Sequence, residues 1–172
     1  VSDGSWKLTS LGFNIDISDN KCFALRAWLL EEYESNLLKH GGAFEGIKEM
    51  LASLEDDGIP YGIVTNKPLR FAEPILINEP AFKNCKTLIC PDHLDAIKPD
   101  PEGILRGCKD LGIHPTECVY VGDHAKDIEA GINAGTEVIA CYFGYSLKIG
   151  DCSEHILGAN HPNELYELIS KL

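Results

Sequence analysis

Asp123 and Asp127 stand four residues apart, directly after the apolar run Cys118 to Val121 and the break at Gly122. The run has the length and the β-branched and aromatic make-up of a buried strand. Behind it, Ala125, Ile128, Ala130, Ile132 and Ala134 ahead of Gly135 predict a helix closed by a glycine. Two carboxylates at such a strand-to-helix junction suit a hard divalent cation such as Mg²⁺, which takes one or two carboxylates and keeps several waters. Taken alone, they also read as a helix cap (Asp123) and the partner of a first-turn lysine (Asp127). Thr65-Asn66 ends an earlier apolar run, Tyr61 to Val64, and a hydroxyl beside backbone N–H groups at a helix start makes a phosphate cradle. Lys98, between Ile97 and Pro99, is a cation placed for a phosphoryl group. Alone, the first is an ordinary turn and the second an ordinary surface lysine. As a set they describe one chemistry, in which hydroxyl, amide, ammonium and a carboxylate-held metal share the charge of a phosphate.

That set works only if distant segments meet, so the elements that carry it matter. Residues 1–20 are polar, with Trp6, Leu8, Leu11 and Phe13 suggesting a short amphipathic piece. Asp19-Asn20 starts a helix to about His40, with Phe23, Leu25, Trp28, Leu29, Tyr33, Leu37 and Leu38 at helical spacing, ended by Gly41-Gly42. Then come a helix from about Phe44 to Glu55, a strand from Tyr61 to Val64, a helix from Leu69 to Ile77 and a strand from Thr87 to Cys90. A loop with Pro91, Pro99 and Pro101 carries Lys98 and leads to a helix from Glu102 to Leu111. After the strand and helix around Asp123 come a strand at Val138 to Cys141, a short one at Ile156-Leu157, and a helix from Asn163. Strands alternating with helices predict an α/β fold with a mainly parallel sheet. Ligands of such sheets bind beyond the carboxyl ends of the strands, where all three clusters fall.

Composition narrows the field. The 172 residues suffice for one domain with a small appendage, and 44% hydrophobic against 24% charged residues is ordinary globular usage. A formal net charge of −12 argues against nucleic acid and anionic membranes as partners. It leaves a phosphate ligand open, because a bound cation and a lysine reverse the local field. No apolar run approaches the roughly 20 residues needed to cross a bilayer, and Val1-Ser2-Asp3-Gly4 lacks the marks of a signal peptide. The seven cysteines are odd in number, without a C-x-x-C pair, and read as reduced thiols of a cytoplasmic protein.

The motifs together resemble those of the haloacid dehalogenase superfamily. Thr65-Asn66, Lys98-Pro99 and Gly122-Asp123-x-x-x-Asp127 look like its second, third and fourth motifs. Gly62 to Pro68, Lys98 to Glu102 and Val121 to Gly135 are most similar to bacterial phosphoglycolate phosphatases. A related branch acts on N-acetylmuramic acid 6-phosphate, and Phe143-Gly144-Tyr145 does not separate the two. The resemblance implies a three-layer Rossmann-like parallel sheet over residues 43–172, and the remnant of an N-terminal helical cap with its hinge over residues 1–42. Ser2-x-Gly4 with Leu8 to Phe13 resembles an earlier cap helix.

One motif is expected and not found. The family's first strand carries Asp-x-Asp-Gly-Thr, nucleophile and general acid, and Asp16-Ile17-Ser18-Asp19 has the wrong spacing for it. The chain is therefore expected to begin inside the cap. In the family that strand lies between those ending at Thr65 and Val121, so its absence implies a gap of about twice the 4.8 Å strand spacing.

The resemblance implies a Mg²⁺-dependent phosphomonoesterase working through an aspartyl-phosphate, with 2-phosphoglycolate the first expected substrate and glycolate and phosphate its products. Thr65 and the amide after it, with Asn66, would hold phosphoryl oxygens. Lys98 would balance charge, Asp123 would bind the metal, and Asp127 would be a ligand or orient Lys98. The partner is a small phosphorylated metabolite, and the protein a monomer or homodimer. Two rival readings remain: a non-catalytic phosphate-binding remnant, and a phospho-receiver domain, in which the acidic pair comes first and an acidic acceptor, threonine and lysine follow, whereas here threonine comes first and the acidic pair last.

Overall fold

The computed structural model describes residues 4–172, so Ser2 of the cap-like stretch lies outside the described residues. The chain falls into two compact units, Val1–Gly41 and Gly42–Leu172. The first is a helical hairpin of α1 (Ser5–Phe13) and α2 (Asn20–Asn36). Asp19 caps α2, its carboxylate accepting the Lys21 N–H at 2.8 Å. Asp16 takes the Ser18 N–H at 2.8 Å, so this acidic stretch is a turn followed by a helix cap. Edge-on rings join the helices: Trp6 meets Phe23 at 4.8 Å and Phe13 meets Trp28 at 6.1 Å. The helical periodicity of α2 forms a helix without burying its stripe: Phe23 and Trp28 remain exposed, and only Cys22 is fully covered.

The second unit runs α3 (Ile47–Asp56), β1 (Ile63–Val64), α4 (Leu69–Asn78), β2 (Leu88–Ile89), α5 (Glu102–Leu111), β3 (Val119–Gly122), α6 (Ala125–Ala134), β4 (Glu137–Cys141), β5 (Leu157–Ala159) and α7 (Glu164–Ile169). All ladders are parallel, with Val64 opposite Ile89, Val121 opposite Ile139, and Cys141 opposite Ala159. Side chains alternate across β4 as a strand period requires. Val138 and Ala140 pack with Ile128 and Leu147, while Ile139 and Cys141 face Leu165, Ile47 and Met50. On β3, Tyr120 joins the Ile104–Cys108–Ala130–Ala134 cluster of α5 and α6, and Val119 and Val121 turn to α3 and α7. The result is three layers, helices on both faces of parallel strands, with the Rossmann-like architecture expected.

One difference from the expected elements has a local cause. The helix placed from Phe44 starts at Ile47, because Gly46 at φ 93° holds the backbone out of the helical region. The strands form two sheets, β1-β2 and β3-β4-β5, and no ladder joins β1 to β3 among the described residues. This break lies between the strands ending near Thr65 and Val121.

Candidate phosphate and metal site

Lys98 is the junction of the site. Its backbone is pinned by Asn66, whose Nδ2 donates to the Lys98 carbonyl at 3.0 Å and whose Oδ1 accepts the Lys98 N–H at 3.2 Å. The carboxamide thus acts as a short stretch of strand, binding the 95–101 loop to the end of β1. The other end of that loop is tied by Glu102, whose Oε2 accepts the Ala96 N–H at 2.8 Å. The Lys98–Pro99 peptide is cis. From this anchor the ammonium donates to the Val64 carbonyl at 2.7 Å and to the Tyr120 hydroxyl at 2.8 Å, and it pairs with Asp127 Oδ1 at 2.8 Å. Burial pulls the Lys98 ammonium down, but the Tyr120 oxygen and the Asp127 carboxylate more than offset this, and it lies above the ordinary lysine value. Lys98 is therefore charged throughout the neutral range.

The carboxylates are set by the β3–α6 turn. His124 is the N-cap of α6, its Nδ1 accepting the Lys126 N–H at 3.1 Å, and Asp127 Oδ2 reaches back to the His124 N–H at 3.1 Å. This reciprocal capping box, not an Asp123 cap, starts the helix. Asp127 spends one oxygen on the turn and the other on Lys98, a lysine from another segment and not from its own first turn. Gly122 makes that geometry possible: a Cβ there would sit 2.3 Å from the Asp127 Cβ.

Asp123 is held from the opposite side. Its Oδ2 accepts the Tyr145 N–H at 2.8 Å, and its carbonyl accepts the Leu147 N–H at 3.0 Å. Gly144 lies so close that a Cβ would approach the Asp123 Cβ to 2.3 Å. Cys141 is buried at the end of β4, and its thiol is pushed up to about 12 by burial and by the nearby Asp123 and Asp127. Beside this loop, Phe44 meets Phe143 at 5.5 Å and Tyr145 at 5.6 Å. Phe44 and Phe143 also line a cavity of about 510 Å³ with His161 and Asn163.

Thr65 ends β1 with its N–H on the Ile89 carbonyl at 2.9 Å, and its Oγ1 accepts the Lys67 N–H at 3.1 Å, opening a turn toward α4. The structure thus brings Asn66, Lys98 and Asp127 into one bonded network, with Thr65 and Asp123 on its flanking backbone. Asn66 spends its carboxamide on the Lys98 backbone. Among the described residues, no group of three or more Asp, Glu, His or Cys side chains is arranged to hold a metal ion. Sequence reasoning missed Tyr120 and the Asp123-holding turn at Gly144-Tyr145. The signal for the first was a polar-tipped aromatic in a strand two residues before Gly122.

Comparison with known proteins follows the same lines. The haloacid dehalogenase-like hydrolase profile matches residues 11–141, most of the chain. An N-acetylmuramic acid 6-phosphate phosphatase of Pseudomonas aeruginosa is 36% identical over 99% of this chain and 76% of its own length. A phosphoglycolate phosphatase of Xanthomonas campestris is 37% identical over 88% of this chain and 67% of its own length. Among solved structures, a predicted phosphoglycolate phosphatase from Haemophilus somnus superposes with a TM-score of 0.81 at 22% identity, over 92% of this chain and 71% of that one.

Proposed function

We propose, from the premise that this chain belongs to the haloacid dehalogenase-like hydrolase family, that it works as a phosphomonoesterase for small, carboxylate-bearing phosphate esters. The observation that carries the reading is the Asn66–Lys98–Asp127 network, which aims a buried, charged ammonium at the carboxyl ends of β1 and β3. Buried charge of this kind stabilises a transferring phosphoryl group better than a mobile surface lysine, because its stem is already anchored and only one N–H has to be re-aimed.

The donor set fits a hard divalent cation: Asp123 offers a carboxylate already oriented by Tyr145, Asp127 adds a second at the next turn of chain, and waters complete the shell. When bound, Mg²⁺ would neutralise phosphate charge. Asp123 is its proposed direct ligand, and Asp127 orients Lys98 or a metal-bound water. The Thr65 hydroxyl and the amide after it hold phosphoryl oxygens, with Asn66 supporting them through Lys98. The proposed reaction begins with a carboxylate oxygen attacking phosphorus as the ester P–O bond breaks, the leaving alkoxide taking a proton from an acid. Water then attacks the aspartyl-phosphate, releasing phosphate and the carboxylate. By the resemblance, attacker and acid come from an Asp-x-Asp strand.

The two ester classes named for the relatives, 2-phosphoglycolate and N-acetylmuramic acid 6-phosphate, share a carboxylate and differ in size. The Phe44–Phe143–Tyr145 cluster offers an apolar wall for a ring, which speaks for the larger ester. Phosphate release from both esters, measured with and without Mg²⁺ on this chain and on one extended upstream, tests the reading. Metal-dependent release that Asp123→Asn abolishes is expected. Turnover kept by that variant would remove the metal assignment, and no release from either chain would favour a phosphate-binding remnant.

A further inference from the structure

We infer that Tyr120 is a positioning residue for Lys98, holding its ammonium in register with Asp127 through the phenolic oxygen. The inference deepens the proposed reading of this site and rests on it only for its kinetic arm. An ammonium has three N–H donors, and all three are assigned: Val64 carbonyl at 2.7 Å, Tyr120 hydroxyl at 2.8 Å, Asp127 Oδ1 at 2.8 Å. To touch a phosphoryl oxygen, Lys98 must release one of them. The carboxylate is the strongest partner because it is charged. The choice therefore falls between a backbone carbonyl, fixed at the end of β1, and a hydroxyl.

The hydroxyl differs from the carbonyl in kind. It accepts from Lys98 while donating to the Val64 carbonyl at 3.3 Å, so it ties lysine and strand together. When Lys98 turns away from Val64, the Tyr120 O–H can satisfy that carbonyl alone, and no buried acceptor is orphaned. The ring itself is locked: Tyr120 is packed on the cluster of Ile104, Cys108, Ala130 and Ala134, and its Cβ would lie 3.4 Å from a Cβ built on Gly131. A rigid arm from β3, braced by α5 and α6, thus ends in a hydroxyl that fixes where the ammonium sits.

Tyr120→Phe removes the hydroxyl and keeps the packed ring. Where phosphatase turnover is measured, kcat should fall about 10-fold or more, with KM and metal requirement within about twofold, because charge is misplaced in the transition state while binding persists. In the present chain, Lys98 should be acetylated several-fold faster by a water-soluble N-hydroxysuccinimide ester, read by peptide mass spectrometry, with the melting temperature near wild type. Unchanged kcat together with unchanged acetylation would overturn the inference. An inactive wild type whose Lys98 still becomes more reactive in Tyr120→Phe would support it, and would count against the phosphatase reading alone.

Discussion

At the residue scale, the site shows how one side chain is defined by its neighbours. Lys98 read from sequence is a lysine before a proline; in the fold it is a buried cation with its three donors spoken for. Thiols show the same dependence on surroundings. Burial, with Asp92 and Glu73 nearby, pushes Cys90 from 9.0 up to about 11, and burial next to Cys108 pushes Cys118 up to about 12. These groups keep their protons in the folded state after the unfolded chain has released them. Stability is therefore undiminished below pH 9 and declines as pH rises from about 9 toward 11 to 12. The urea midpoint should be lower at pH 10 than at pH 8, and Cys90→Ala should flatten part of that slope. A midpoint equal at both values would show that these thiols titrate alike in both states.

At the element scale, the β3–α6 turn and the β4 exit loop together set the carboxylates. Much of the turn was legible: a glycine after an apolar run, then Asp-x-x-x-Asp, then a helix stopped by Gly135, which takes the left-handed conformation at φ 75°. The capping partner was not legible, because a histidine N-cap depends on a ring orientation that spacing does not set. The exit loop was even less so, since Gly144 and Tyr145 touch Asp123 only after β4 has paired beside β3. Gly144→Ala should displace the Asp123 Cβ, costing about 1–3 kcal/mol of stability. The same change should weaken metal-dependent turnover at least about 10-fold. Thermal unfolding and a Mg²⁺ titration of activity check both parts, and near-wild-type values in each would mean that the loop yields without moving the carboxylate.

At the scale of the whole molecule, core and hairpin differ in self-sufficiency. Every buried cluster described above, from Ile104–Cys108 to Ile139–Leu165, lies within Gly42–Leu172. The hairpin of α1 and α2 has Thr9 and Cys22 as its fully buried residues and leaves Leu11 71% and Phe23 61% exposed. About 40 residues is near the lower limit for independent folding without cross-links. Limited proteolysis at Gly41-Gly42 should therefore release a fragment that loses most of its helical circular dichroism, while residues 42–172 still unfold cooperatively. A stably helical released fragment would contradict this. None of the described helices is long and apolar enough to cross a membrane. What the sequence determined by itself was the alternation of strand and helix, the parallel α/β class and the place of Thr65, Asn66, Lys98, Asp123 and Asp127 at or just after strand ends, because periodicity, glycine stops and strand-end polarity are local properties. Tertiary structure alone decided that the Asn66 carboxamide turns to the Lys98 backbone and that Tyr120 completes the lysine's shell, because each depends on which distant surface arrives within about 3–4 Å to make a hydrogen bond or an apolar contact.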